Sequence, residues 1–568
     1  MSDFDAVVVG SGMSGGWVAK ELCKRGFKVA LLERGRDTVP ATHYTDMPDP
    51  WQREHLDWVP KAELANQYPV QGSIYQMAQS TKHWWVRDDL HPYETPEDKP
   101  FEWYRGYHLG GRSIMWARMS YRFSEMDFQS NARDGHGIPW PVGYEDIAPW
   151  YDHVERFVGI SGSDDGLSQL PGSDNYLPPF ELSCVEAEFG ERLKAAYPER
   201  DLIIGRVANL SRPTETQTAL GRGQCQVRNR CHHGCSFGAY FSSVSATIPA
   251  ARRTGNLTVI TNAIAERVLT DESGRRATGV QYVDYETGER RTITGRTVFL
   301  NASAINSALI LLQSASAQHP DGLANGSGQV GRNLMDHAAG AWIEGRVPGH
   351  LDEYYRGNRP ITAYLPRYQN LDAKTHDFDR GFAYQVYSWR EDWRHMRDRA
   401  GVGGAYKGEI REPGPWKLVL DAYTEVLPYE DNRVRPHPTR TDRWGIPVPY
   451  LEVAFGENEQ KLIHAAYDDA IEMMTRAGIV DLKMSPRDEV RPTKPGNRIH
   501  EMGTVRMGDD PGLAPLNRYN QAHEVENLFC TDGGFMCSAA VQNPSLSYMA
   551  FSARAASRAA ELMQEGTI

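Results

Sequence analysis

Residues 4 to 33 constrain this chain of 568 residues more than any other stretch. Phe4-Asp5-Ala6-Val7-Val8-Val9 has the short apolar run of a buried strand, and it opens directly into Gly10-Ser11-Gly12-Met13-Ser14-Gly15. A helix is expected to about Arg25, then a second strand over Lys28-Val29-Ala30-Leu31-Leu32, then Glu33, 18 residues beyond Gly15. That order is a complete βαβ dinucleotide-binding unit. Gly10 permits the tight turn, Gly12 lets the backbone approach a pyrophosphate, and Gly15 allows close helix packing. The helix N-terminus at Met13 and Ser14 stabilises phosphate charge. Glu33 can accept from a ribose hydroxyl, and Arg34 beside it counts with the cofactor-binding residues. The motif alone does not separate NAD from FAD.

The chain is too long for one simple core, so two or more domains are expected. It has no run of about 18 apolar residues that could span a bilayer. Acidic residues outnumber basic ones, 74 to 62, and no Lys/Arg block stands out, which argues against nucleic acid as a partner. Cysteine usage is more telling. Three of the seven crowd into Cys225, Cys231 and Cys235, spaced C-x5-C-x3-C in the loop 223–239, a pattern that suits metal ligation better than disulfides. Three thiolates in one loop can wrap an iron–sulfur cluster. Cys23, Cys184, Cys530 and Cys537 are distant in sequence, so a three-iron cluster is the simplest form. Zinc completed by His232 or His233, or unligated thiols, are the alternatives.

Further along stand Gly110-Gly111-Arg112-Ser113-Ile114-Met115-Trp116, then Val330-Gly331-Arg332-Asn333-Leu334-Met335-Asp336-His337, then His500-Glu501-Met502-Gly503-Thr504. Thr531-Asp532-Gly533-Gly534 and Gln542-Asn543-Pro544-Ser545 close the series. In this order they resemble the glucose–methanol–choline (GMC) oxidoreductases along nearly the whole chain. The resemblance implies an α/β fold: a Rossmann-like FAD-binding domain assembled from 1–45, 95–130, 205–335 and 496–568. A mixed-sheet α+β substrate domain from 46–94, 131–204 and 336–495 would be inserted in it. FAD would lie extended, its isoalloxazine near Gly110, Gly111, Ser113, Asp532 and Asn543. Met115 takes the place where some relatives attach flavin through a His, so FAD is expected to be non-covalent. Val268 would touch adenine through its backbone, with a plain buried valine as the alternative.

Oxidising an alcohol requires a base for the hydroxyl proton while the carbinol hydrogen leaves as hydride. In the resembling family the positions of His500 and Asn543 face the flavin from the substrate side. His500 would be the base, and Asn543 would hold the substrate oxygen. The substrate domain is rich in aromatic and polar residues, which suit the apolar faces and hydroxyl rim of a sugar. Among them Gln385 and Glu425 are candidate substrate contacts.

The cysteine spacing is similar to that of bacterial FAD-dependent sugar dehydrogenases of this family, where it holds a 3Fe-4S cluster. That subgroup implies a small subunit carrying an export signal and a cytochrome c acceptor. No leader precedes the first strand, so a periplasmic location is expected through co-export, with the cytoplasm as the alternative. The stretch from Arg356-Gly357-Asn358-Arg359-Pro360 to Asn370-Leu371 is most similar to the glucoside 3-dehydrogenase branch. Oxidation at another carbon, an oxygen-using oxidase, and a flavin electron-transfer subunit with no substrate of its own are the rivals.

Overall fold

The computed structural model describes residues 2–353, 362–391 and 401–568. The stretch 356–360 therefore lies outside the described residues. The strand Phe4–Val9 sits inside a seven-stranded sheet, parallel to Val29–Leu32 on one side and to the end of Arg290–Leu300 on the other. Leu257–Ile260 and Leu528–Cys530 extend the parallel part. Ala6, Val7 and Val8 are fully buried because both sheet faces are covered, which is why the strand reads as continuous valine rather than alternation. Helices Met13–Lys24 and Ser545–Gln564 cover one face. Small residues, Ala555, Ala556 and Ala559, let the second helix pack against Ala6, Val8 and Leu31.

Arg290–Leu300 belongs to two ladders. Its first half pairs antiparallel with Ala277–Asp284, which pairs in turn with Ala263–Thr270. One strand thus joins the dinucleotide fold to an antiparallel meander.

The second sheet has the order Val480–Lys483, Trp342–Val347, Trp416–Thr424, Phe382–Arg390, Ala363–Leu365, Ile203–Ile204, and its pairings are antiparallel. Its side chains alternate between two faces. Leu418, Leu420 and Ala422, with Phe382, Tyr384 and Val386, join the core under helices Cys184–Ala196 and Glu457–Arg476. Asp421, Tyr423, Gln385 and Tyr387 fall on the opposite face. The hairpin of Arg433–Thr441 and Pro447–Glu452 places Val434 and Leu451 in the core cluster that holds Val7, Val298 and Leu300. Trp444 stacks on His91 at 5.5 Å and donates from Nε1 to Tyr285 O at 3.1 Å. Among the described residues no helix is long and apolar enough to cross a membrane.

Candidate active site

A cavity of about 690 Å³ runs from the glycine turn to the exposed face of the second sheet. Gly10, Gly12, Met13, Ser14, Glu33, Arg34, Gly111, Ser113, Met115, Asp532, His500 and Asn543 all stand on its wall. Gly10 adopts φ +95°, and a Cβ there would meet Asn301 O at 2.2 Å. Gly15 lies behind the wall, where a Cβ would stand 1.8 Å from Gly10 O. Around Gly12 a Cβ would meet nothing within 4 Å, so bare backbone faces the cavity. Ser11 ties the pieces together: its Oγ donates to Glu33 Oε2 and accepts from Gly110 N at 2.9 Å. Ser113 Oγ donates to Gly110 O at 2.5 Å and accepts from Ser243 N at 3.0 Å. Asp532 accepts from Ser307 Oγ and Gly534 N, and burial pushes its carboxyl up to about 6.

Several buried polar atoms on residues of this wall lack a hydrogen-bond partner among the described residues, among them Asn301 Nδ2, Gln313 Oε1, Gln76 Oε1 and Arg34 Nε. Buried polar groups are normally bonded, so such atoms mark where a ligand completes the wall. With the bare Gly12 and the helix N-terminus they fit an extended FAD. Val268 stands outside the cavity. Its N–H is spent on Ser314 Oγ at 2.9 Å, while Ala263, Ile264 and Ala265 face inward from the same strand.

At the other end, His500 Nε2 lies 3.2 Å from Asn543 Nδ2, and His500 Nδ1 lies 2.8 Å from His337 Nδ1. Asp336 Oδ1 accepts from the backbone N–H of His500 at 3.0 Å and of His337 at 2.8 Å. Burial holds His500 well below the ordinary imidazole value of 6.5, with His337, Arg498 and Arg112 adding to the effect. The imidazole is neutral at pH 7, as a base must be. Neither Asp336 nor His337 was assigned a role from the sequence, although both lie in a quoted string.

The outer wall carries Tyr75, 78% exposed, and Trp342, 50% exposed, the latter stacked on Tyr387 at 5.8 Å. Asp421 and Arg498 pair bidentately on the same wall, with the guanidinium 4.1 Å over the Tyr423 ring. The two proposed substrate contacts are corrected. Gln385 does not reach the wall; it donates from Nε2 to Asn543 Oδ1 at 3.2 Å and holds that amide from behind. Glu425 lies past the end of its strand, 1% exposed, accepting from Arg380 Nη1 at 2.6 Å. Arg380 also binds Asp134 and donates to Asn131 Oδ1 at 2.8 Å. This is a buried ionic brace, not a sugar site. Arg380→Ala should cost about 3 kcal/mol of stability, because Glu425 and Asp134 lose that guanidinium and Glu425 keeps only the longer pair with Arg367 at 3.8 Å, measured as a fall in the chemical denaturation midpoint.

Cys225, Cys231 and Cys235 open onto one small separate cavity, which none of the other four cysteines lines. Neither His232 nor His233 lines it. His233 is spent on Ser80 Oγ and Arg53 Nη1, both at 3.1 Å. The three thiols are not among the donor groups that fall within 4.8 Å of one another, so their spacing is too wide for one tetrahedral zinc, whose thiolates bind at about 2.3 Å. The donor set is three thiols around one hollow. Tyr240, five residues after Cys235, donates to Ile114 O at 2.7 Å, and Trp116 Nε1 donates to Phe241 O at 2.9 Å. The loop is thereby bonded to the segment that carries Ser113 and Met115.

A dinucleotide cavity with a neutral imidazole facing its far end defines an oxidoreductase site. The chain belongs to the GMC oxidoreductase family, whose amino- and carboxy-terminal domains match residues 4–339 and 428–552. It is an FAD-dependent oxidoreductase of the kind that acts on CH–OH groups. It is 28% identical to 2-methyl-1,2-propanediol dehydrogenase of Mycolicibacterium austroafricanum, over 97% of this chain and 94% of that protein. It is 25% identical to the fructose dehydrogenase large subunit of Gluconobacter japonicus, over 99% and 98%. The fold is shared with formate oxidase of Aspergillus oryzae, with a TM-score of 0.62 at 14% identity over 100% of this chain and 99% of that one.

Proposed function

We propose that this enzyme oxidises a ring hydroxyl of a sugar or glycoside, the C3 hydroxyl of D-glucosides first, and passes the electrons to a one-electron acceptor. The observation that carries the reading is the His500–Asn543 pair on the wall of the same cavity that holds the glycine turn. His500 Nε2 takes the hydroxyl proton, and Asn543 Nδ2 donates to the substrate oxygen, aligning it with that nitrogen. FAD bound in the cavity supplies the two-electron acceptor for the carbinol hydride. Tyr75 and Trp342 offer aromatic faces to a pyranose, and Asp421 with Arg498 offers polar partners to its rim.

Cys225, Cys231 and Cys235 would hold a 3Fe-4S cluster, which supplies a one-electron relay. Met47, Trp51, Leu56 and Trp58 beside this loop are exposed apolar side chains, as a docking surface for a partner protein would require. Arg228 reaches Met47 Sδ at 3.4 Å and Arg230 reaches Pro48 O at 3.2 Å, which ties that surface to the cysteines. The words "large subunit" in the name of the fructose dehydrogenase relative support a companion subunit here. Co-export with it to the periplasm and a cytochrome c as acceptor complete the proposal.

Anaerobic flavin bleaching by methyl β-glucoside beside glucose tests the substrate. The methyl glycoside has no free anomeric hydroxyl, so bleaching by it supports oxidation at a ring carbon, which product analysis then fixes. Bleaching by glucose alone would move the reaction to C1. Bleaching only by a small 1,2-diol would point to a substrate like that named for the propanediol relative.

A further inference from the structure

We infer that His337 is a positioning residue that fixes the tautomer of His500, leaving the nitrogen that faces the cavity unprotonated. The inference rests on the reading of His500 as the base and deepens it. His337 Nε2 lies 2.9 Å from Ala540 O. A carbonyl oxygen only accepts, so this nitrogen carries the hydrogen. Burial holds His337 down to about 4, so its ring is neutral and Nδ1 is a bare lone pair. That lone pair faces His500 Nδ1 at 2.8 Å, and His500 Nδ1 is therefore the N–H. His500 is neutral too, which leaves Nε2 as the lone pair, directed at the Asn543 amide.

The bonds arriving from the opposite side agree. Tyr387 OH donates to Gln385 Oε1 at 2.9 Å, and Gln385 Nε2 donates to Asn543 Oδ1 at 3.2 Å. Asn543 therefore points its NH₂ at His500, where a protonated Nε2 would set two donors head to head. Asp336 clamps the backbone of both histidines, and Arg498 N donates to it as well, at 3.1 Å. The two rings hang from one buried carboxylate, perpendicular to each other with centroids 4.9 Å apart. A single carbonyl, Ala540 O, thus sets the polarity of the chain that ends at the reacting proton.

Two measurements on the FAD-loaded enzyme test this. In ¹⁵N spectra of histidine-labelled protein, assigned with His500→Gln, the His500 signal should be that of the Nδ1–H tautomer. An Nε2–H signal overturns the proposal whatever the substrate. In anaerobic stopped-flow with whichever of methyl β-glucoside or glucose bleaches the wild type, His337→Leu should lower the limiting rate of flavin reduction about 10²–10⁴-fold, the range of a misoriented base. The substrate concentration for half-maximal rate should hardly move. His337→Asn can place Oδ1 where Nδ1 stood and accept from His500, so it should recover the rate to within about 10-fold of the wild type. A folded Leu variant that bleaches at the wild-type rate, or an Asn variant as slow as Leu, overturns the proposal. If Leu does not fold, the Asn variant decides alone. Fast reduction by His500→Ala would instead sink the base and leave the tautomer result standing.

Discussion

His500→Ala is expected to lower the limiting rate of flavin reduction about 10²–10⁴-fold while FAD stays bound. The variant should separate chemistry from binding because His500 reaches the cavity only at its far end. The glycine turn, Glu33 and Asp532 are held by contacts that do not involve it, including Ser11 with Glu33 and Gly110, and Ser307 with Asp532. FAD content after gel filtration should therefore match the wild type. The pH dependence carries the same signature. A protonated imidazole cannot accept the hydroxyl proton, and burial holds His500 well below 6.5. The wild-type rate should thus fall on the acid side only well below pH 6.5, and that limb should vanish in His500→Ala. A variant that bleaches as fast as the wild type would remove His500 from the reaction.

The cofactor end was legible from the sequence because it is local. Two strands, one turn, one helix and one acid lie within 30 consecutive residues, from Phe4 to Glu33, with Gly10 and Gly15 required by crowding and Gly12 leaving bare backbone toward the cavity. His500 and Asn543 were legible only through a family pattern, since nothing local brings residues 500 and 543 within 3.2 Å. The failures are failures of register and of depth. Val268 lies three residues past Ala265, beyond the end of the cavity, where Ser314 takes its N–H, as in the alternative of a plain buried valine. Gln385, a candidate substrate contact from the sequence, stands behind Asn543 rather than on the wall. Glu425 is a candidate sugar contact from the sequence because it lies in a segment rich in aromatic and polar side chains. Arg380, 45 residues earlier, is what it serves. His337 passed without a role because its function depends on a carbonyl, Ala540 O, that no side-chain pattern announces.

Cys231→Ser is expected to reduce turnover with a one-electron acceptor to background while leaving flavin bleaching by substrate intact. Serine has nearly the shape of cysteine but is a far weaker ligand for iron, so the variant tests ligation rather than folding. The loop has other supports. Asp46 accepts from Ser236 N at 3.1 Å, from Ser236 Oγ at 2.6 Å and from Arg228. Gly223 N donates to Phe237 O at 2.7 Å and Cys225 N to Leu210 O at 2.8 Å. None of these bonds uses the Cys231 sulfur, so the hollow should keep its form. The substrate end is equally independent, because no cysteine lines the cavity that His500, Asn543 and the glycine turn share. Iron and acid-labile sulfide should be present in the wild type and lost or depleted in the variant, which ties any loss of turnover to the cluster. Zinc without sulfide in the wild type would replace the relay with a structural ion, against the wide thiol spacing. Unchanged turnover by a variant that has lost its iron would mean that electrons leave the cavity by another path.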